Sequence, residues 1–465
     1  MQRECVTPRT TGNQSIVRWI LSASLTLLLL ALAAGSAQGQ TVLSQTTWGG
    51  FGTDVASGVA TAVDGSSYVV GTSDSFTIDQ FGNPSPSIFL LKLTSTGSIA
   101  WQRIWNGLTF TGGFHGPAVA LNAGPLPGNP TDDLVYVTGL TTSNGNDAVL
   151  LKFDASGNLI WQRTWGGTQI EESDAVATAL DGSVYIAGNT TSFGASGSSL
   201  FVVKFNAAGT LVWQKIWDGS GGIAAVAVAP DGSVYASSTT PRSAGQIGQF
   251  DVIALKMSAA GALTWQRTYA AGDVVDPRGG MTVAPDGSVY IAGAIQAPKM
   301  GFVDIAALVI RLSAAGGLLF DGQWAGRNSE IAGGVAAAPD SSVYVAGTSS
   351  SSGAGGEDAF VIHLLTNGKL AAAATWGGTG FEEGTGAAVA ADGTVLLAAL
   401  AQAPPYAILS ASKKISNLRG TLAIATGTLG DASGTVGTPV EAVTTPNGST
   451  TFGGSADAAL VRLVP

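Results

Sequence analysis

The chain has 465 residues, of which 65 are glycine, 21 are Lys or Arg and 31 are Asp or Glu. Its charged fraction of 11% is less than half of the roughly 25% found in ordinary soluble domains. The hydrophobic fraction of 45% includes 11 Trp, which is enough to build a large core. These values exclude a disordered chain, a collagen, a coiled coil and a basic nucleic-acid-binding protein.

The first 39 residues have the order of a secretory signal peptide. Arg3, Arg9 and Arg18 precede an apolar run over 19–34, and small residues follow it. We expect a signal peptide over 1–39, a mature domain over 40–465 and a protein that is secreted or held at the cell surface. The alternative is an uncleaved anchor. Cleavage removes three Arg, one Glu and the single cysteine, Cys5, so the net charge changes from −10 to −12.

A repeat with a period of about 52 residues fills the rest of the chain. The motif Gly-x-x-x-Trp-Gln-x-x-Trp is complete at 97–105, 157–165 and 209–217, and altered copies occur at 261–269, 316–324, 368–376 and 420–428. A second motif, Asp-Gly or Asn-Gly before an alternating strand, occurs from Asp64-Gly65 to Asn447-Gly448. Such dipeptides supply the positive φ of a tight hairpin turn. Eight copies can be counted.

Each copy reads as four short strands, A to D, in about 50 residues, which is the pattern of a β-propeller. The fold predicted is all-β, a single β-propeller of eight four-stranded blades, with seven as the alternative. The tryptophans of strand D occur once per blade, which favours packing between blades over ligand stacking. Residues 44–50 resemble strand D, whereas the last copy lacks that strand. The N-terminal strand is therefore predicted to pair with the C-terminal blade.

The repeat units resemble a known family. Trp165-Gly166-Gly167, 181–188 and 154–159 are similar to the SBBP-type bacterial β-propeller repeat, over nearly all of 41–465. The resemblance implies a bacterial propeller that is secreted or displayed on the cell surface. It implies no catalytic residues, because none are assigned in that family.

One face of the propeller carries the variable loops. The D–A and B–C loops differ between copies, and variable loops on a rigid scaffold are where binding usually occurs. Acids recur six or seven residues after the blade-ending aromatic residue, with further acids beside them: Asp54, Glu171, Glu172, Asp174, Asp276, Glu330, Glu382 and Glu383. A partial ring of carboxylates suits Ca²⁺. The alternative is that each carboxylate accepts backbone N–H bonds in its own glycine-rich loop.

The sequence after residue 39 contains no Gly-x-Ser-x-Gly, His-Glu-x-x-His or phosphate-loop motif. The two histidines are His363, which replaces a strand C lysine, and His115, a candidate for the variable-loop face. We expect a secreted, monomeric, non-catalytic propeller that binds an extracellular protein or glycan through its D–A/B–C loops. No nucleic acid, no cofactor other than possible Ca²⁺ and no membrane span after signal cleavage are expected. The alternative is a polysaccharide lyase or glycoside hydrolase that uses the loop carboxylates.

Overall fold

The computed structural model describes most of the chain from Gln40 onwards. The described residues are 40–79, 81–107, 116–122, 132–142, 146–194, 197–219, 221–242, 249–271, 274–299, 302–402, 404, 406–411, 415–416, 418, 421–425, 429–437, 443–446 and 455–464. The predicted signal peptide, 1–39, lies outside them. None of the described elements is a helix with the length and apolar character needed to span a bilayer.

The described residues form 35 strands in seven antiparallel sheets. Strand β1 (Thr41–Trp48) comes first. Blade 1 follows with β2 (Asp54–Thr61), β3 (Ser67–Ser73), β4 (Ser87–Leu93) and β5 (Ile99–Trp105), and blade 2 with β6 (Ala118–Asn122), β7 (Leu134–Thr141), β8 (Asp147–Asp154) and β9 (Leu159–Gly166). Blade 3 has β10 (Glu171–Thr178), β11 (Val184–Thr190), β12 (Ser199–Phe205) and β13 (Leu211–Trp217), and blade 4 has β14 (Ala225–Val228), β15 (Val234–Pro241), β16 (Phe250–Met257) and β17 (Leu263–Ala270).

The later blades depart from this regular order. Blade 5 has a divided inner strand, β18 (Val274–Asp276) and β19 (Met281–Val283), followed by β20 (Val289–Lys299), β21 (Phe302–Leu312) and β22 (Leu318–Trp324). Blade 6 has β23 (Glu330–Ala337), β24 (Val343–Ser349), β25 (Asp358–Leu364) and β26 (Leu370–Gly377). Blade 7 starts with β27 (Glu382–Val389) and β28 (Val395–Ala401), and the chain returns to it at β35 (Asp457–Val464).

The prediction of a single all-β propeller is confirmed, but the count of eight blades is wrong. The residues interpreted as an altered copy at 392–428 and as the first strand of the last copy include six short strands, which we call the belt: β29 (Ala407–Ser410), β30 (Ile415–Ser416), β31 (Thr421–Ile424), β32 (Leu429–Asp431), β33 (Thr435–Gly437) and β34 (Val443–Thr444). Belt strands pair in turn with the outer strands of blades 6, 5, 4, 3, 2 and 1. Six blades therefore have a fifth strand on the outside.

The predicted closure of the ring is present. Strand β1 pairs antiparallel with β35, from Thr41 opposite Val464 to Trp48 opposite Ala458. It forms the outermost strand of blade 7, beyond β27, β28 and β35. The N-terminal strand and the last strand of the chain thus lie in one sheet, which leaves no unpaired edge on β35.

The Trp-Gln motif bonds one blade to the next at five of the seven blade boundaries. The indole N–H of Trp105 in blade 1 donates to Gln162 Oε1 in blade 2 at 2.9 Å. The equivalent bonds are Trp48 to Gln102 (2.6 Å), Trp165 to Gln214 (2.5 Å), Trp217 to Gln266 (2.9 Å) and Trp376 to Gln45 (3.1 Å). At the boundary between blades 4 and 5, Tyr269 Oη donates to Asp321 Oδ2 at 2.9 Å. The predicted packing between blades is therefore accompanied by specific hydrogen bonds.

The other side chains of the motif also contact the following blade. Trp161 Nε1 donates to Ala207 O at 3.3 Å, and Arg163 Nε donates to Gly209 O at 3.1 Å. Both acceptors belong to the C–D turn of blade 3. The same two bonds occur at Trp101 with Arg103 and at Trp265 with Arg267. One alternating strand thus supplies three side chains, all on one face, that bond the neighbouring blade.

The belt can be tested by removing it. In a variant that replaces residues 402–456 with the short B–C loop of blade 3, residues 191–198, we expect the ring to fold, because all blade-to-blade tryptophan bonds remain. Six outer strands would then have open edges, and open edges promote association between chains. Light scattering during size exclusion should show oligomers for this variant and a monomer for the full chain. A monomeric variant with unchanged thermal stability would contradict a protective role of the belt.

Candidate functional site

The recurring acids at the start of strand A are buried. Asp54, Glu171, Glu330 and Glu382 are each 0% exposed. Burial raises the pKa of Asp54 above its usual value, although bonds from Ser73, Gly50 and Ser75 oppose this effect. These four side chains do not lie on the walls of the central channel. The structure thus does not place them as an accessible ring at the channel mouth.

Each of these acids holds its own loop. Glu171 accepts bonds from Gly167 N–H at 2.7 Å, Thr190 Oγ1 at 2.7 Å and Ser192 N–H at 3.2 Å. The bond from the backbone N–H four residues earlier recurs at Asp54 from Gly50 (2.8 Å), at Glu382 from Gly378 (2.7 Å) and at Glu330 from Gly326. This geometry matches the alternative in which each carboxylate satisfies backbone groups of the D–A loop.

The other predicted site residues do not share the buried position at the start of strand A. Asp174 and Glu383 line the channel. Glu172 is half-buried on strand β10, and burial raises its pKa. Asp276 ends β18, where its backbone pairs with Ala294. His115 lies outside the described residues. Among the described residues there is no group of three or more His, Cys, Asp or Glu positioned to hold a metal ion.

The central channel has a volume of about 820 Å³ and is lined by strand A residues of all seven blades. One apolar position of strand A recurs in all seven blades and faces the channel. In each blade it is paired with the residue that follows the strand B tyrosine, or that follows Leu396 in blade 7. We call the seven residues at this apolar position the girdle: Val59, Val119, Val176, Val226, Met281, Val335 and Ala387. The inner strands are crowded here, since a Cβ on Gly334 would lie 2.5 Å from Ala387 N. The middle of the channel is therefore narrow and apolar.

Charged residues line the channel on the side of the D–A and B–C loops. We call Asp74, Asp174, Glu357, Glu383 and Arg278 the channel mouth. Asp174 accepts bonds from Ala224 N–H at 2.9 Å and Asn189 Nδ2 at 3.3 Å. Burial, followed by the charge of Glu357, raises the pKa of Glu383, and Arg278 opposes this rise. The described mouth has four acids and one base, so its net charge is negative.

Arg278, Glu357 and Asp74 were missed by the sequence analysis because they do not recur with the repeat. Arg278 had a local signal, the adjacent Pro277. Proline cannot donate a ladder hydrogen bond and interrupts a strand. Here it falls between β18 and β19, where Gly280 N–H bonds back to Pro277 O at 3.0 Å. The interruption places Arg278 at the channel wall.

The B–C loop of blade 1 presents apolar side chains to solvent. Phe81 is 79% exposed and Ile78 is 72% exposed, and Phe51 in the neighbouring D–A loop is 96% exposed. The Asp79 carboxylate accepts the backbone N–H groups of Phe81 (2.8 Å) and Asn83 (2.9 Å), and these bonds lower the pKa of Asp79. The loops contact each other through Gly52 N–H and Ser75 Oγ at 2.9 Å. The exposed side chain of Phe81 therefore lies on a turn that is fixed by hydrogen bonds to Asp79.

Pairs of carboxylates lie at three blade boundaries. A Cβ added to Gly166 would overlap both Asp147 Oδ1 and Glu171 Oε2, and Gly49 and Gly377 occupy the same position between Asp457 and Asp54 and between Asp358 and Glu382. This close approach requires the first glycine of Trp-Gly-Gly. Burial, together with the charge of Glu171, raises the pKa of Asp147 to about 6. Asp147 Oδ1 is buried without a hydrogen-bond partner.

The raised pKa predicts a pH-dependent stability. Folded Asp147 holds its proton up to about pH 6, whereas the pKa of an unfolded Asp is near 4. The protonated side chain therefore stabilises the fold fully below about pH 4, and this stabilisation is lost as the pH rises towards 6. Asp147→Asn keeps the shape without the charge. Denaturant unfolding measures the free energy of unfolding of D147N relative to the parent chain. This difference should change in favour of D147N by on the order of 2–3 kcal/mol between pH 4 and pH 7. A stability difference that does not vary with pH would contradict this assignment.

Comparison with known families supports the β-propeller fold. A family model described as a domain of unknown function (DUF5122) beta-propeller matches residues 180–211. No curated protein sequence matches the chain. The fold is similar to a puromycin hydrolase mutant complexed with PGG (15% identity, TM-score 0.46, 80% of this chain, 54% of that chain) and to the polysaccharide lyase Uly1 (11%, 0.42, 83% and 94%). The chain therefore spans about half the length of the puromycin hydrolase.

Proposed function

We propose that this protein is an exported, non-catalytic β-propeller that binds an extracellular protein through its D–A/B–C face. The observation that carries the proposal is the apolar group Phe51, Ile78 and Phe81 on the loops of blade 1. Exposed aromatic residues are the anchors that dominate binding energy in protein interfaces. Such residues are not needed for folding, because they contact mainly solvent.

The loop that carries Phe81 is organised before binding. Asp79 fixes the turn through two backbone bonds, and Thr77 Oγ1 bonds Ser85 O across its base. A side chain already held in position loses less conformational entropy when a partner is bound. The fixed turn therefore supports a role in recognition.

A protein partner is favoured over a glycan by the type of exposed residue. Trp48, Trp105, Trp165, Trp324 and Trp376 are all buried between blades. The tryptophans and tyrosines that form stacking platforms for sugar rings are thus not the side chains presented by the blade 1 loops. Phenylalanine and isoleucine suit an apolar pocket on a protein.

The alternative of a polysaccharide-cleaving enzyme is less well supported. Glu171 and Glu172 were the adjacent acids considered for acid–base catalysis. Both Glu171 oxygens accept hydrogen bonds from the blade itself, one from Gly167 N–H in the D–A loop and one from Thr190 Oγ1 on β11. Glu171 is 0% exposed, so it does not face a substrate.

The binding face can be tested with matched surface variants. Phe81→Ser and Phe51→Ser should each weaken binding to a purified extracellular partner by at least about tenfold, as expected for an interface anchor. Leu180→Ser is the control, since Leu180 is 87% exposed beside the Asp181-Gly182 turn at the opposite face. Calorimetry or surface plasmon resonance would measure the affinities.

Two results would overturn the proposal. Loss of binding in L180S with unchanged binding in F81S and F51S would place the interface on the other face. Binding that is detected only on a glycan array, and never to a purified protein, would exclude the protein partner.

A further inference from the structure

The central channel is a second candidate site, and its lining residues do not include Phe51, Ile78 or Phe81. Its volume of about 820 Å³ lies within the roughly 300–1,000 Å³ of small-molecule pockets. Its walls are strand A backbones that are bonded to one another. Ser57 Oγ donates to Pro117 O at 2.5 Å, and Thr385 Oγ1 donates to Ala56 O at 2.5 Å. The cavity is therefore preformed and not created by a ligand.

The bonds across the inner strands come from bulges in strand A. The register shifts between Ala56 and Gly58 and between Gly384 and Gly386, so Ser57 and Thr385 are the extra residues. In blade 3 the extra residue is Asp174, which accepts the N–H of Ala224 in blade 4. Bulges thus direct polar side chains along the upper channel wall, while the girdle below stays apolar.

The negative charge of the channel mouth favours a positively charged ligand. Four described acids face a single arginine, so a cation is attracted and an anion is repelled. Glu383 is placed beside Glu357, and their mutual repulsion would be relieved by a bound cation. Phe381 also lines the channel. Aromatic rings attract cations through their faces.

The girdle favours a ligand with an apolar segment. Strand A extends about 3.3 Å per residue, so the girdle lies several residues deeper than Glu383 along β27. Five of its seven members are valine, and none carries a polar side-chain atom. A molecule that reaches this depth gains affinity by burying apolar surface.

We propose that the channel binds a small organic cation, an alkylammonium or alkylguanidinium group with its charged end at the mouth and its apolar chain at the girdle. The group can be a free molecule or the lysine side chain of a partner protein. This site does not depend on Phe81, so it stands whether or not the loop face binds a protein.

The site can be tested by calorimetry on the full chain with methylammonium, hexylammonium and hexanoate. Hexylammonium should bind at millimolar concentration or below and at least about tenfold tighter than methylammonium, because each buried CH₂ adds about three- to fourfold in affinity. Hexanoate should show no saturable binding. Binding of hexanoate as tight as that of hexylammonium, or no binding of hexylammonium, would overturn the proposal.

Two substitutions at the mouth should act in opposite directions. Glu383→Gln should weaken hexylammonium binding by about three- to tenfold, and Arg278→Gln should strengthen it by a similar factor, as expected for charges several ångströms apart near a surface. Asp431→Asn removes an acid from the exposed belt and should change nothing. Equal weakening in E383Q and D431N would show that only net charge matters and would overturn the site.

The apolar part of the site has its own variant. Val226→Thr replaces a girdle methyl group with a hydroxyl at nearly constant volume, so the ring should fold as judged by its thermal midpoint. The variant should weaken the binding of hexylammonium and leave the binding of methylammonium unchanged. An equal effect on both ligands would contradict the placement of the alkyl chain at the girdle. A short peptide with one internal lysine completes the test, since tighter binding than hexylammonium identifies a partner side chain, and weaker binding identifies a free amine.

Discussion

The hydrogen bond from the last tryptophan of one blade to the glutamine of the next is the contact on which the ring depends. A buried indole N–H without an acceptor would destabilise the fold by about 1–3 kcal/mol. The glutamine supplies that acceptor, and its amide group donates outward, from Gln102 to Pro446 O at 2.7 Å and from Gln266 to Ala425 O at 2.8 Å. Where the tryptophan is replaced by Tyr269, the glutamine is replaced by Asp321 and the bond persists.

The same bonds explain the positions of the belt and the channel. Gln102 and Gln266 lie on outer strands, and their amide groups donate to residues next to belt strands there. The seven inner strands are fixed at a common height by their outer neighbours, and this brings one apolar residue of each blade to the girdle. Function is then left to the residues that the repeat does not constrain, namely the loops of blade 1 and the charged channel mouth.

Much of the architecture could be predicted from the sequence, because it follows from local, repeated patterns. Turn dipeptides, strand alternation and the Trp-Gln motif indicated a propeller, and the match of 44–50 to strand D indicated its closure. The blade count was wrong because 420–428 and Asn447-Gly448 resemble the two repeat motifs, and a motif does not reveal which sheet edge a strand joins. The acids that recur with the repeat are buried loop supports, whereas Arg278 and Glu357 occur once and follow no period.

The central claim is that the blades are coupled by the tryptophan–glutamine bond. A double-mutant cycle of Trp105→Phe and Gln162→Leu, followed by denaturant unfolding, measures that coupling directly. We predict a coupling free energy of about 1 kcal/mol or more, as for a buried hydrogen bond. A parallel cycle of Trp105→Phe with the exposed Gln169→Leu should give none. Additive effects in the first cycle would contradict the account.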